Sequence, residues 1–186
     1  MTSLQIVDSQ LPNLEGKTVI VTGRNSLDVP DGVKLTVSVG GGSGIGLAAV
    51  KTFCSKGAKT YILDLNEPDE GVPAGAEFIK TNAGSWADLS AAFKKAGKVD
   101  IAVANAGISE NKNTFVDEFD EDGELKEPNG SWTLVDVNLK GVISFTKLAM
   151  SYMKRQGTGG SIVITSSATA YAPEHSLPVY SACKLG

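Results

Sequence analysis

Ser167, Tyr180 and Lys184 are the residues whose types and spacing bear most directly on chemistry. Tyr180 and Lys184 stand four apart, which on a helix puts them on one face with the ammonium beside the phenol. A neighbouring positive charge favours phenolate and draws a tyrosine pKa down from about 10, so Tyr180 is suited to act as general acid or base near neutral pH. Ser167 lies thirteen residues earlier at a predicted strand tip, where its hydroxyl can bond the same substrate oxygen. Tyr-x-x-x-Lys alone is a weak signal, since many amphipathic helices carry it by chance.

The elements that must position these residues are legible around them. The β-branched run Ile162-Val163-Ile164-Thr165 reads as a buried strand with Ser166 and Ser167 at its polar end, followed by a loop containing Pro173 and Pro178 and a helix that Tyr180 opens. At the other end of the chain, Lys17–Val21 reads as a buried strand ending at Thr22-Gly23. Gly40-Gly41-Gly42-Ser43-Gly44-Ile45-Gly46 then leads into a helix over Leu47–Lys56 that Gly57 stops. A glycine-rich turn between strand and helix lets backbone N–H groups approach a pyrophosphate. The next strand, Thr60–Leu63, ends at Asp64, twenty residues past Gly44. A carboxylate there is placed to bond an adenosine ribose and to repel a 2′-phosphate, which favours NAD over NADP. The plainer reading is that Asp64 begins a turn.

Joined directly, Thr22-Gly23 and Gly41–Gly46 form a compact TGxxxGxG turn, but seventeen residues, Arg24–Gly40, stand between them. They hold a Pro30-Asp31-Gly32 turn signal and an alternating Lys34–Val39 segment that reads as an extra strand. Two origins stay open, a genuine loop insertion and translation of a retained intron whose seventeen codons keep the frame. Mature transcripts that all contain the segment would exclude the intron.

Further along, Ala76–Lys80 reads as a strand leading to Thr81-Asn82-Ala83, and Trp86–Ala96 as a helix. Val99–Ala104 reads as a strand ending at Asn105-Ala106-Gly107, small residues that let a flat ring come close, with Asn105 able to tie neighbouring backbones. Ile108–Gly130 is polar and acidic and reads as a surface excursion. A long amphipathic helix follows over about Trp132–Arg155, burying Leu134, Val137, Val142, Phe145, Leu148 and Met153. Asn138 interrupts that apolar face; such a residue needs partners, so a structural hydrogen bond and a catalytic role are both open.

Composition narrows the classes. The chain has 186 residues, 41% of them hydrophobic, enough for one sizeable core and most simply one domain, 1–186. A net charge of -4 with dispersed acidic residues argues against a nucleic-acid partner. Neither a membrane-length apolar run nor a signal peptide is visible, so a soluble cytoplasmic protein is expected. Cys54 and Cys183 are too few for a disulfide framework, His175 is the single histidine, and no metal site is indicated. Asn129-Gly130-Ser131 fits a glycosylation acceptor but reads as a turn before a helix.

Taken in order, Thr22-Gly23, Gly44-Ile45-Gly46, Asp64, Asn105-Ala106-Gly107, Asn138, Ser167, Tyr180 and Lys184 make the chain resemble the short-chain dehydrogenase/reductase family from Leu14 onward, the insertion excepted. The resemblance implies an α/β fold, a doubly wound Rossmann-like parallel sheet, incomplete here at its C-terminal edge, with NAD(P) bound along the carboxyl ends of its strands. It implies an oxidoreductase acting on a small-molecule alcohol or ketone, in which Tyr180 exchanges the proton and Ser167 holds the substrate oxygen. Lys184 binds the nicotinamide ribose and Asn138 supports a relay water. Asn82 stands where the family has an aspartate reaching the adenine, and Ala104 where Asn-Asn-Ala-Gly has its first asparagine. The family also pairs through helices matching Trp132–Arg155 and the one begun at Tyr180, so a homo-oligomer is a further expectation. Family members continue well past Gly186; the 186-residue chain is therefore expected to be poorly stable and weakly active alone, a remnant that binds dinucleotide weakly or pairs with a longer relative being the alternative. Epimerisation or dehydration on the same scaffold also remains open.

Overall fold

The computed structural model describes residues 11–22, 44–110, 114–172 and 174–186. Gly23, Ser43 and the inserted segment 24–40, with its expected turn and strand, lie outside them.

Five parallel strands form one sheet in the order β3-β2-β1-β4-β5. They are β1 (Thr18–Thr22), β2 (Lys59–Asp64), β3 (Ala76–Lys80), β4 (Ile101–Ala104) and β5 (Ser161–Ile164). Around them lie α1 (Ile45–Ser55), α2 (Trp86–Ala96), α3 (Asn129–Val135), α4 (Val142–Arg155) and α5 (Pro178–Leu185). Around β1, β2 and β4 the sheet is covered on both faces, because these strands are apolar on both. In β1, Val19 and Val21 pack with Val50 of α1, Ile62 and Val103, whereas Ile20 turns to the opposite core of Leu89 and Phe93 from α2 and Phe145 and Leu148 from α4. Strand order reverses direction between β1 and β4, and the crevice at the carboxyl ends of that pair is where open α/β sheets take ligands. The expected doubly wound sheet is therefore present.

Local chemistry explains the elements that match their expected bounds. Helix α2 begins where Ser85 accepts a bond from the Asp88 amide and donates to Asp88 Oδ1, and it ends at Gly97 with φ 71°. Other bounds differ by one or two residues, and Pro178, expected in a loop, is instead the first residue of α5, where its missing N–H costs nothing.

Three expectations need correction. The helix over Trp132–Arg155 starts earlier and is not uniform: α3 and α4 are joined by a π-helical turn, Asp136–Gly141, with Asn138 inside it. A side chain at Gly141 would put its Cβ 2.5 Å from the Ala83 carbonyl oxygen, so this turn approaches the loop after β3 as only glycine allows. The strand at Ile162–Thr165 is not buried; β5 is an edge strand with Val163 50% and Ile164 52% exposed. The excursion from Ile108 begins inside the protein, with Ile108, Ser109 and Glu110 all buried, and reaches the surface later, where Phe119 and Leu125 form an antiparallel bridge.

Among the described residues, no helix is long and apolar enough to cross a membrane.

Candidate functional site

The candidate residues collect at the carboxyl ends of the strands. Thr22 closes β1 and Asp64 closes β2, Asn82 follows β3, Asn105 follows β4, and Ser167 follows β5. In a parallel sheet these ends share one edge, so residues scattered over 146 positions of sequence become neighbours.

Thr22 organises the middle of that edge. Its hydroxyl donates to the Val103 carbonyl at 3.3 Å and accepts the amides of Asn105 at 2.9 Å and Ala106 at 3.1 Å. Asn105 is tied outward in turn, its side-chain oxygen accepting the Thr165 hydroxyl at 3.1 Å. This link joins side chains across β4 and β5, rather than side chain to backbone as the sequence implies. Asp64 is buried at the tip of β2, and its carboxylate oxygen receives the Asn66 amide at 3.4 Å. Asn82 is exposed and accepts the Gly84 amide, holding its own turn. Gly44 caps α1 at φ 82° with no side-chain bond to the helix amides, Ile45 is exposed and Gly46 is buried.

The second group gathers around α5. Tyr180 and Lys184 lie one helical turn apart, and the Lys184 ammonium sits 5.8 Å from the Tyr180 ring centre. Lys184 donates to the Thr165 carbonyl at 3.0 Å. Burial pulls its pKa down from the ordinary lysine value, while neighbouring Cys183 acts in the opposite direction. The Cys183 thiol is pushed up by burial and by the Glu110 charge. Asn138 is 2% exposed and clamps Ile108 by both amide atoms, accepting its N–H at 2.8 Å and donating to its carbonyl at 2.7 Å. Of the two roles open for this asparagine, a structural bond is thus made. Gly107 lies between the two groups: a Cβ there would stand 3.2 Å from Asn138 Oδ1 and 3.3 Å from Lys184 Nζ. Ser167 accepts the Thr169 amide and caps a short 3-10 turn, Ala168–Ala170, that packs against α5.

A groove of about 1430 Å³ runs along α4 and β5 past Ile143, Met150, Ile162 and Leu185. Asn138 and Lys184 reach its margin, but Ser167 and Tyr180 do not line it, so it is not itself the site. Two contributors were missed in the sequence. Thr165 serves Asn105 and Lys184 together, and Glu110 bonds the Tyr180 amide. Thr165 carries a signal in its place at the polar end of a predicted strand; Glu110, one acid in an acidic stretch, carries none.

Comparison with known proteins gives the family and the fold. The chain is 54% identical over 187 residues to the short-chain dehydrogenase/reductase prx4 of Penicillium roqueforti, covering 100% of this chain and 51% of that protein. It is 43% identical over 185 residues to the short-chain dehydrogenase/reductase ATR7 of Stachybotrys chlorohalonatus, covering 99% of this chain and 53% of that one. The chain thus spans about half the length of the curated relatives it matches. Among solved structures, a 3-ketoacyl-(acyl-carrier-protein) reductase from Brucella melitensis, complexed with NADH, superposes with a TM-score of 0.69 at 29% identity, over 92% of this chain and 65% of that one. The sequence model of the short chain dehydrogenase family matches residues 34–186. With its parallel sheet, its polar residues along one sheet edge and its paired tyrosine and lysine, the chain belongs to the short-chain dehydrogenase family.

Proposed function

We propose that the chain carries the chemistry of an NAD-dependent dehydrogenase, interconverting an alcohol and a ketone with Tyr180 as general acid and base. The observation that carries this reading is the convergence of Lys184, Asn138 and Gly107 beside Tyr180 at the ligand-binding edge of the sheet.

Three features of the chain suit a nicotinamide dinucleotide. Gly44 leaves the first amides of α1 without a side-chain cap, as an anion site requires. Asp64 offers a buried carboxylate at the tip of β2. Gly107 leaves space that a side chain would fill. Thr22, Gly23, Ser43, Gly44, Ile45 and Gly46 would hold the phosphates and Asp64 the adenosine ribose. Asn82 would face the adenine, and Asn105, Ala106 and Gly107, with Tyr180 and Lys184, the nicotinamide end. When bound, the cofactor supplies the hydride donor or acceptor.

The remaining work falls to this chain's own groups. In oxidation Tyr180 Oη takes the proton of the substrate hydroxyl; in reduction it returns a proton to the carbonyl oxygen. The Lys184 ammonium stabilises the phenolate by its charge, and the Ser167 hydroxyl bonds the substrate oxygen and fixes its direction. Beyond its clamp on Ile108, Asn138 retains one acceptor position and one N–H, which is the capacity needed to hold a water beside Lys184.

The test is a titration of the chain with NAD and NADP, followed by fluorescence and thermal unfolding, together with assays on secondary alcohols. NAD is expected to raise apparent stability by about 2.7 kcal/mol at a hundredfold excess over Kd, and NADP to do far less. Tyr180→Phe should keep that shift and lose turnover by roughly 10²–10⁴-fold. Equal shifts with NADP would sink the assignment of Asp64, and full turnover in Tyr180→Phe would sink the mechanism.

A further inference from the structure

Glu110 is a buried carboxylate, 7% exposed, that the proposed chemistry does not use. One of its oxygens accepts the amide of Tyr180 at 2.9 Å. The other accepts the Thr114 hydroxyl at 2.7 Å, and that hydroxyl is also 2.7 Å from Ser131 Oγ in the first turn of α3. The amide it serves has no local partner of its own. Helix α5 begins at Pro178, which has no N–H, and the residue before it, Leu177, offers no side-chain cap. The helix that carries Tyr180 is therefore capped from outside, by a residue seventy positions earlier in the chain. A carboxylate suits this place, because the N-terminal amides of a helix carry partial positive charge and a charge-assisted bond is stronger than a neutral one.

From these contacts we infer that Glu110 is a positioning residue, holding the first turn of α5 so that Tyr180 and Lys184 keep their setting at the sheet edge. Helix α5 is then fixed at two levels, by Glu110 at the Tyr180 amide and by the Thr165 carbonyl at the Lys184 ammonium. Through Thr114 and Ser131, the same carboxylate ties that setting to the start of α3. The functional half of this inference rests on Tyr180 being the acid and base; the structural half does not.

Amide hydrogen exchange separates the two. In the full chain with saturating NAD, Glu110→Ala is expected to speed exchange at the Tyr180 amide by about tenfold or more, leaving the amides of β1 and β2 unchanged. Glu110→Gln retains an acceptor oxygen and should recover most of the protection. With cyclohexanol as probe substrate, kcat should fall in Glu110→Ala and recover in Glu110→Gln while KM for NAD stays level. Unchanged exchange at Tyr180 in Glu110→Ala, equal loosening of the strands, or no recovery in Glu110→Gln would each overturn the inference. If Tyr180→Phe turns over at the full rate, the acid–base reading fails while the exchange result still decides what Glu110 holds.

Discussion

Asn138 grips Ile108 by both faces of its peptide, taking the N–H and giving to the carbonyl within 2.8 Å, from inside a π-helical turn. That turn presents an asparagine to the segment that follows β4. The clamp fixes the backbone just past Gly107, beside Lys184.

Asn138→Ala leaves both Ile108 groups buried without this partner, which should cost on the order of 2–4 kcal/mol in urea unfolding. Asn138→Asp keeps an acceptor and loses the donor, and is expected to fall between. A loss under about 0.5 kcal/mol in Asn138→Ala would refute the clamp.

Gly141→Ala forces a methyl group against the Ala83 carbonyl and should cost about 1–3 kcal/mol, more than an alanine normally changes a helix. If stability rises instead, as helix propensity alone would have it, the close approach is wrong.

Lys184 should give stability a rise with alkaline pH. Burial lowers its folded pKa, so the cost of burying the ammonium is complete below that value. The cost is relieved as pH climbs from the folded value toward the ordinary 10.5, where the native chain sheds its proton before the unfolded one. Against Lys184→Met, which lacks the group, the wild-type chain is expected to gain through this window. A constant difference from neutral pH to 10.5 would count against it.

Asp100 acts at the opposite end of the scale. Burial alone would raise its pKa, but the Thr18 amide, bonded at 2.9 Å, and the Lys98 and Lys17 ammoniums outweigh burial and hold the carboxyl below its usual 3.8. Its contribution is complete above 3.8 and is lost as pH falls through the lower folded value. The stability difference between wild type and Asp100→Asn should therefore shrink in strong acid, and circular dichroism across an acid series would detect the opposite trend.

Local signals made much of this fold legible. Strand β3 and helix α2 have the bounds expected of them, and in α2 the Ser85–Asp88 cap and Gly97 act within a few residues. What was hidden depends on distant neighbours. The π turn answers to the Ala83 carbonyl, more than fifty residues away, and no periodicity carries that. Ile162, Val163 and Ile164 announce a strand but not its exposure, since apolarity says what a residue tolerates rather than what covers it. The types at Tyr180, Lys184 and Ser167 point to a chemistry from the sequence alone, whereas Glu110 reads as one more surface acid until α5 is laid against it.

The single hydroxyl of Thr22 serves two amides more than eighty residues downstream. The centre of the site therefore cannot be assembled as the chain emerges. β1 must wait, with its polar end unsatisfied, until β4 has been made and docked. Contacts of such long sequence separation slow folding, so the site edge should be among the last parts of the molecule to close and among the first to report an interrupted fold.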